Sequence, residues 1–110
     1  MKLREIAHVR TGDKGDTSNM AVIAYRREDF ERLRRTLTAE RVAAWFADSR
    51  PADAAPVRRY ELPALGALNF VLPGALRGGV TRSLALDAHG KGLGAALLDL
   101  DLELELELED

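Results

Sequence analysis

The stretch around which this chain is organised reads Arg10-Thr11-Gly12-Asp13-Lys14-Gly15-Asp16-Thr17-Ser18-Asn19. It lies between two apolar segments and contains two glycines, two carboxylates and no large apolar side chain. A connection that only reverses the chain needs about two to five residues. Because this stretch is longer and carries groups that bind anions or cations, we expect a functional loop over residues 10–19.

The segments on either side of this stretch predict two strands. Residues 3–9 alternate loosely between apolar and polar side chains, which is typical of a strand with one buried face. Residues 20–25 form a continuous apolar run, which suits a strand that is buried on both faces or covered by helices.

The next segment predicts two amphipathic helices, because its apolar residues recur three and four positions apart. Thr38 stands between the two stripes and is a suitable N-cap for the second helix. The first stripe is Phe30, Leu33 and Leu37, and the second is Val42, Trp45 and Phe46.

The second half of the chain returns to strand patterns. Residues 58–62 and 65–72 predict two strands, with Asn69 as the single polar residue of the second. Residues 77–83 form another glycine-bearing polar turn, followed by a short strand over 83–87 and a helix over 90–98. Residues 98–110 alternate leucine with acid, so they predict a strand that ends in a frayed segment or pairs with another chain through its edge.

This order of elements indicates an α+β protein. We expect a ferredoxin-like sandwich, with a mainly antiparallel sheet, helices on one face and an added N-terminal hairpin. Residues 1–102 are expected to form the domain, and residues 103–110 an acidic Leu/Glu tail.

Composition excludes several classes of function. The 110 residues contain no cysteine, which excludes disulfides, thiolate zinc sites and cysteine nucleophiles. The two histidines lie far apart, so a histidine-rich metal site is not expected, and neither a cofactor nor a metal ligand is assigned. No signal peptide or membrane-length apolar run is visible, so a soluble cytoplasmic protein is expected.

Positions 99–110 hold seven acids and no base, which leaves residues 1–98 with a net charge of +5. The arginines of this basic part are scattered, and we do not expect nucleic-acid binding.

The polar stretch itself leaves three interpretations open. Gly12 to Asp16 with Lys14 would suit an anion held by backbone N–H groups. The oxygens of Asp13, Asp16 and Asn19 would suit a hard cation, although their spacing is not that of an EF-hand. A network of local turn hydrogen bonds without any ligand is the third interpretation.

Two further side chains draw attention. Asn69 needs hydrogen-bond partners if it is buried, and either ties its strand to the polar stretch or faces a ligand. Arg82 could pair with Asp13 or Asp16, or contact an anion. His8 is expected to be an ordinary strand-surface residue, and no catalytic residue is identified. The residues predicted to bind a ligand or partner are Arg10, Gly12, Asp13, Lys14, Gly15, Asp16, Ser18, Asn19, Asn69, Gly78, Gly79 and Arg82.

Several motifs together resemble one protein family. They are the residues from Arg10 to Ala24, then Leu37-Thr38-Ala39-Glu40-Arg41-Val42, Arg59-Tyr60-Glu61-Leu62-Pro63, Ala67-Leu68-Asn69-Phe70-Val71-Leu72, Gly74-Ala75-Leu76, Gly78-Gly79 and Thr81-Arg82-Ser83-Leu84. In this order they resemble the small ferredoxin-fold domain of the acyclic terpene utilisation (AtuA-like) family. The resemblance covers about residues 3–102, and the acidic tail departs from it.

The resemblance implies a partner and a metabolic setting. In this family the domain usually follows a much larger domain, and some members are separate small proteins, so this chain looks like a stand-alone small subunit. Its implied partner is a large AtuA-like protein, and the implied setting is catabolism of acyclic terpenes and branched acids as acyl-CoA thioesters. The alternative is an independent homodimer that binds an acyl-CoA or another anion. The family supplies no catalytic residues to carry over.

Overall fold

The structure is a computed structural model that describes residues 1–75 and 91–102. The predicted turn at 77–83, the strand at 83–87 and the tail beyond residue 102 lie outside the described residues, and with them Gly78, Gly79 and Arg82. The strands are β1 (Ala7–Lys14), β2 (Thr17–Ala24), β3 (Arg58–Leu62) and β4 (Ala67–Leu72), and the helices are α1 (Phe30–Thr36), α2 (Ala39–Trp45) and α3 (Lys91–Leu97).

The four strands form one antiparallel sheet in the order β1-β2-β4-β3. Both sheet neighbours of β4 run opposite to it, so Asn69 lies between Ala21 of β2 and Tyr60 of β3. The predicted α+β class with an antiparallel sheet is confirmed.

The expected ten-residue loop at 10–19 is wrong. Strands β1 and β2 stay paired up to the rung of Lys14 and Thr17, so the connection is only Gly15-Asp16. Gly15 has φ 64°, a left-handed conformation that glycine adopts without steric cost. The polar residues therefore belong to two strands, and their polarity reflects the face that each side chain occupies. A nest of backbone N–H groups from Gly12 onward is excluded, because Gly12 lies inside the β1 ladder.

The N-terminal strand is shorter at its start than predicted. Residues Leu3–Glu5 form a 3-10 helix, and β1 begins only at Ala7. The backbone N–H of Leu3 donates to the carbonyl of Leu100 over 2.9 Å, and Lys2 forms an isolated bridge with Asp101. The described beginning of the predicted tail strand therefore runs beside the N-terminus as one bridge and not as a fifth strand of the sheet.

The helices pack on one face of the sheet and form the core with it. That face presents Met20, Val22, Leu68, Phe70 and Leu72, all fully buried. The helical residues in the same cluster are Phe30, Leu33, Leu37, Val42, Phe46, Leu93 and Leu97.

Two features of the helices bear on the earlier expectations. Thr38 caps α2 as predicted, with its hydroxyl accepting a 3.1 Å hydrogen bond from the N–H of Arg41. Trp45 was expected in the buried stripe, but its side chain is 44% exposed and its indole N–H donates to the carbonyl of Ala96. The other two residues of the stripe, Val42 and Phe46, are buried in the core as predicted.

Candidate functional site: the open face of the sheet

The strand register divides the side chains of the sheet between two faces. Successive residues of a strand point to opposite faces, and residues paired across strands share a face. The helices cover the face of Met20 and Phe70, so the alternate positions form the other face, which we call the open face. It presents His8, Arg10, Gly12, Lys14, Thr17, Asn19, Ala21, Ile23, Arg58, Tyr60, Leu62, Ala67, Asn69 and Val71.

The charges of the open face have one sign. Arg10 and Lys14 lie on β1 and Arg58 lies on β3, all exposed. No acidic residue occupies an open-face position of the four strands. Within residues 1–75 and 91–102, none of these three cations has a hydrogen bond or an ion pair. The helix-covered side differs, because there Arg59 donates to the carbonyls of Arg34 and Leu37 and pairs with Glu61.

Two amides lie between the cations. Asn19 is opposite Gly12 and also pairs with Val71, while Asn69 stands one rung away on β4. Both are half-buried, and neither side chain has a hydrogen bond in the described parts of the chain. A Cβ added to Gly12 would meet nothing within 4 Å, so the glycine leaves a gap beside Asn19 between Arg10 and Lys14. The proposed tie between Asn69 and the polar stretch is therefore not observed.

The opposite end of the open face is apolar and aromatic. His8 pairs with Ile23 in the rung that also contains Ala67 and Leu62. The ring of His8 stacks on Tyr25 with centroids 5.3 Å apart, and its Nδ1 is buried and accepts no hydrogen bond from any described residue. Tyr25 is 63% exposed, so one face of this pair remains in contact with solvent. The open face is thus cationic near the hairpin tip and apolar near the other end of the strands.

The structure separates the predicted site residues into groups. The open face brings together Arg10, Gly12, Lys14, Asn19 and Asn69. Asp13 and Ser18 pair with one another on the helix-covered side, where the fully buried Ser18 hydroxyl has no hydrogen bond within residues 1–75 and 91–102. Gly15 and Asp16 form the hairpin turn.

Among the residues of this face that the sequence did not single out are three large polar or aromatic side chains. Arg58 and Tyr60 enter it from β3, and Tyr25 extends it beyond β2. The signal was available in part, because the strand at 58–62 was predicted and period two places Arg58 and Tyr60 on the same side. The pairing of β3 with β4, which brings them beside Asn69, is a tertiary contact that the sequence pattern does not specify.

A metal centre finds no support in this part of the molecule. Among residues 1–75 and 91–102 there is no group of three or more His, Cys, Asp or Glu side chains placed to hold an ion. In the same residues no helix has the length and apolar character needed to cross a membrane.

The described residues form an α+β domain with an antiparallel sheet, one face of which no described helix covers. A family model described as the AtuA ferredoxin-like domain matches residues 1–103. The chain belongs to this family, and the resemblance of its motifs is thereby confirmed. No match was found among curated proteins or among solved structures.

Proposed function

We propose that this chain is a small cytoplasmic accessory subunit or domain of an AtuA-like protein, linked to the catabolism of acyclic terpenes or branched acyl-CoA thioesters. Residues 1–102 make up the accessory domain, and residues 103–110 are a separate acidic tail. The observation that carries the proposal is the family match over residues 1–103. A domain of this family implies a larger protein as its context.

The open face is the surface that we propose docks on the large AtuA-like part. Interfaces are enriched in aromatic residues and arginine, and these dominate their binding energy. On the open face Tyr60 is 47% exposed and Arg58 lies beside it on the same strand. Leu62, 39% exposed, continues this row on β3, so a partner would bury an aromatic, an aliphatic and a cationic side chain together.

The proposal is tested by copurification from cells that also produce a large AtuA-like protein. The tagged wild-type chain should retain that protein, identified by mass spectrometry. The double variant Arg58→Glu with Tyr60→Ala should lose it. Arg35→Glu is the matched control, because Arg35 is an equally exposed cation on α1, outside the open face. Copurification that is absent for the wild type, or unchanged by the double variant, would contradict the docking role.

A second candidate function is favoured by the single sign of charge on the open face. Three cations on a strand face that carries no acid suit an anionic ligand. The amides of Asn19 and Asn69, which have no hydrogen bond among the described residues, supply further hydrogen bonds beside them. In this alternative the chain acts on its own, as a homodimer that binds a CoA thioester or a related anion.

Thermal unfolding with added CoA thioester or inorganic phosphate tests this alternative. A ligand at about one hundred times its Kd stabilises the folded state by about 2.7 kcal/mol, which is a measurable shift in Tm. Lys14→Ala and Arg10→Ala should abolish the shift while leaving the ligand-free Tm unchanged. Arg26→Ala, an exposed arginine in a loop after β2, should keep it. If no anion shifts the wild-type Tm, this alternative is wrong.

A further inference from the structure

Strand β1 lies at one end of the sheet and borders a groove. On its inner side it pairs with β2, and on its outer edge no strand accompanies it within the described ranges. The groove, about 400 Å³, is lined by Val9, Arg10 and Thr11 of β1 and by Gly94, Ala95 and Leu98 of the α3 region. Because three consecutive residues of β1 line it, one of them from the opposite face, the groove follows the backbone edge of the strand.

The floor of this groove is built for close approach. Helix α3 crosses β1 at Gly94, where an added Cβ would lie 2.7 Å from Cγ2 of Thr11. The missing side chain of Gly94 therefore lets α3 lie directly against Val9 and Thr11, on the helix-covered side of the strand. The groove is lined by these residues together with Ala95 and Leu98. The open-face side of the same edge carries Arg10 and Lys14. A strand added at this edge would meet apolar groups on one face and cations on the other.

The complementary pattern is present in the chain itself. Residues 103–110 read Glu-Leu-Glu-Leu-Glu-Leu-Glu-Asp, which at period two gives leucines on one face and carboxylates on the other. We propose that this segment of a second copy of the chain adds to the outer edge of β1. Its leucines then enter the groove beside Val9 and Thr11, and its carboxylates lie opposite Arg10 and Lys14. Opposite charges across neighbouring strands stabilise a sheet, and the edge of β1, which no described strand occupies, supplies the backbone hydrogen bonds.

The direction of the backbone after Leu98 favours binding of residues 103–110 to the groove of a second copy over binding to the groove of their own chain. Leu98 lines the groove, and from there the backbone runs away from β1: the N–H of Arg4 bonds to the carbonyl of Leu98, and the N–H of Leu102 to that of Met1. To reach the groove of their own chain, residues 103–110 would have to reverse the direction of the backbone immediately after Leu102. They contain no glycine, proline or asparagine, the residues that make tight turns easily. Exchange between two copies needs no such turn and gives a closed, symmetric dimer.

Charge reversal in the full chain tests the exchange. One variant carries Arg10→Glu with Lys14→Glu, and the other carries Glu105→Lys with Glu107→Lys, so that in each variant alone like charges face one another. Sedimentation velocity over a range of concentrations should find a dimer for the wild type. Each variant alone should dimerise about tenfold or more weakly. The equimolar mixture should recover a dimer that contains one copy of each, because opposite charges then meet at both of its grooves.

A matched control keeps the result specific. Arg26→Glu with Arg35→Glu changes the net charge as much as the first variant does, at exposed sites away from β1, and should dimerise like the wild type. The tail variant changes only residues 105 and 107 and none of the residues of the hydrophobic core, so weaker dimerisation of this variant cannot be assigned to a damaged core. A monomeric wild type, undiminished dimerisation of either variant, or a mixture that stays monomeric would each overturn the proposal. The outcome does not depend on the proposed docking role, which is tested at Arg58 and Tyr60.

Discussion

The two faces of one sheet use the same strands for different purposes. On the covered face of β2, β4 and β3, Met20, Val22, Leu68, Phe70 and Leu72 are buried, and the cation Arg59 is bound to backbone carbonyls and Glu61. On the open face, one position along each strand, the cations Arg10, Lys14 and Arg58 make no bond in the part of the chain described. The apolar residues of the covered face are explained by the stability that their burial gives the fold. The three cations of the open face contribute no such burial, so their uniform charge is the feature that points to binding.

The largest contrast is expected between two leucines of neighbouring strands. Leu72 is fully buried on the covered face and Leu62 is 39% exposed on the open face. Leu72→Ala should lower the free energy of unfolding by about 2–5 kcal/mol, because it removes a buried side chain and leaves a cavity. Leu62→Ala should cost less than about 1 kcal/mol, since part of its surface already contacts solvent. Urea unfolding of both variants measures this; equal losses would show that the open face is covered as fully as the other.

A smaller contrast is expected between two glycines that sit on or near β1. Gly94→Ala places a methyl group 2.7 Å from Cγ2 of Thr11, and overpacking of this kind costs about 1–3 kcal/mol. The better helix propensity of alanine returns up to about 1 kcal/mol. Gly12→Ala has open space around the new methyl group and should be neutral or slightly stabilising. The free energies of unfolding of both single variants measure the contrast.

A double variant tests whether the cost of Gly94→Ala arises from the contact with Thr11. Thr11→Ser removes the Cγ2 methyl group, so the double variant Thr11→Ser with Gly94→Ala should recover part of the loss. A double variant whose losses simply add would place the cost elsewhere than in this contact.

The cap of α2 tests the layer that covers the sheet. Thr38→Ala removes the acceptor of the Arg41 N–H and should cost about 1 kcal/mol, as N-cap losses typically do. Thr38→Asp keeps an acceptor at the same place and should cost less. Thermal unfolding of the pair measures the difference, and similar losses for both would mean that the hydroxyl is not the stabilising group.

The smallest effect on stability is expected at the open-face cations. The triple variant Arg10→Ala, Lys14→Ala and Arg58→Ala should change the free energy of unfolding by no more than about 0.5 kcal/mol per site, since none of the three is bonded in residues 1–75 and 91–102. Its capture of the large AtuA-like protein or of an anion should nevertheless be lost. Urea unfolding and copurification of the same preparation separate the two effects. A large loss of stability would assign these cations to the fold.

Much of the fold was accessible from the sequence because its signals are local. The stripe of Phe30, Leu33 and Leu37 predicted α1, and Thr38 predicted the start of α2, since helical spacing and caps act within a few residues. The hairpin at 10–19 was misjudged for the opposite reason. Polar residues on the open face of a strand are indistinguishable in sequence from polar residues of a loop. Only the partner strand shows that Gly12 and Asn19 are paired.

The candidate site was likewise determined partly by the sequence and partly by the tertiary structure. The sequence alone determined two things, because residue types and their order suffice for both. It identified the family to which the chain belongs, and it singled out the stretch from Arg10 to Asn19 as chemically distinctive. The tertiary structure decided which of those residues share a surface. It sent Ser18 and Asp13 to the helix side, kept Arg10, Lys14 and Asn19 on the open face, and brought Arg58 and Tyr60 beside Asn69. The physical reason is that β2 pairs with β4 about fifty positions further along the chain, and that the packed helices decide which face of the sheet is covered. No local pattern reports either contact.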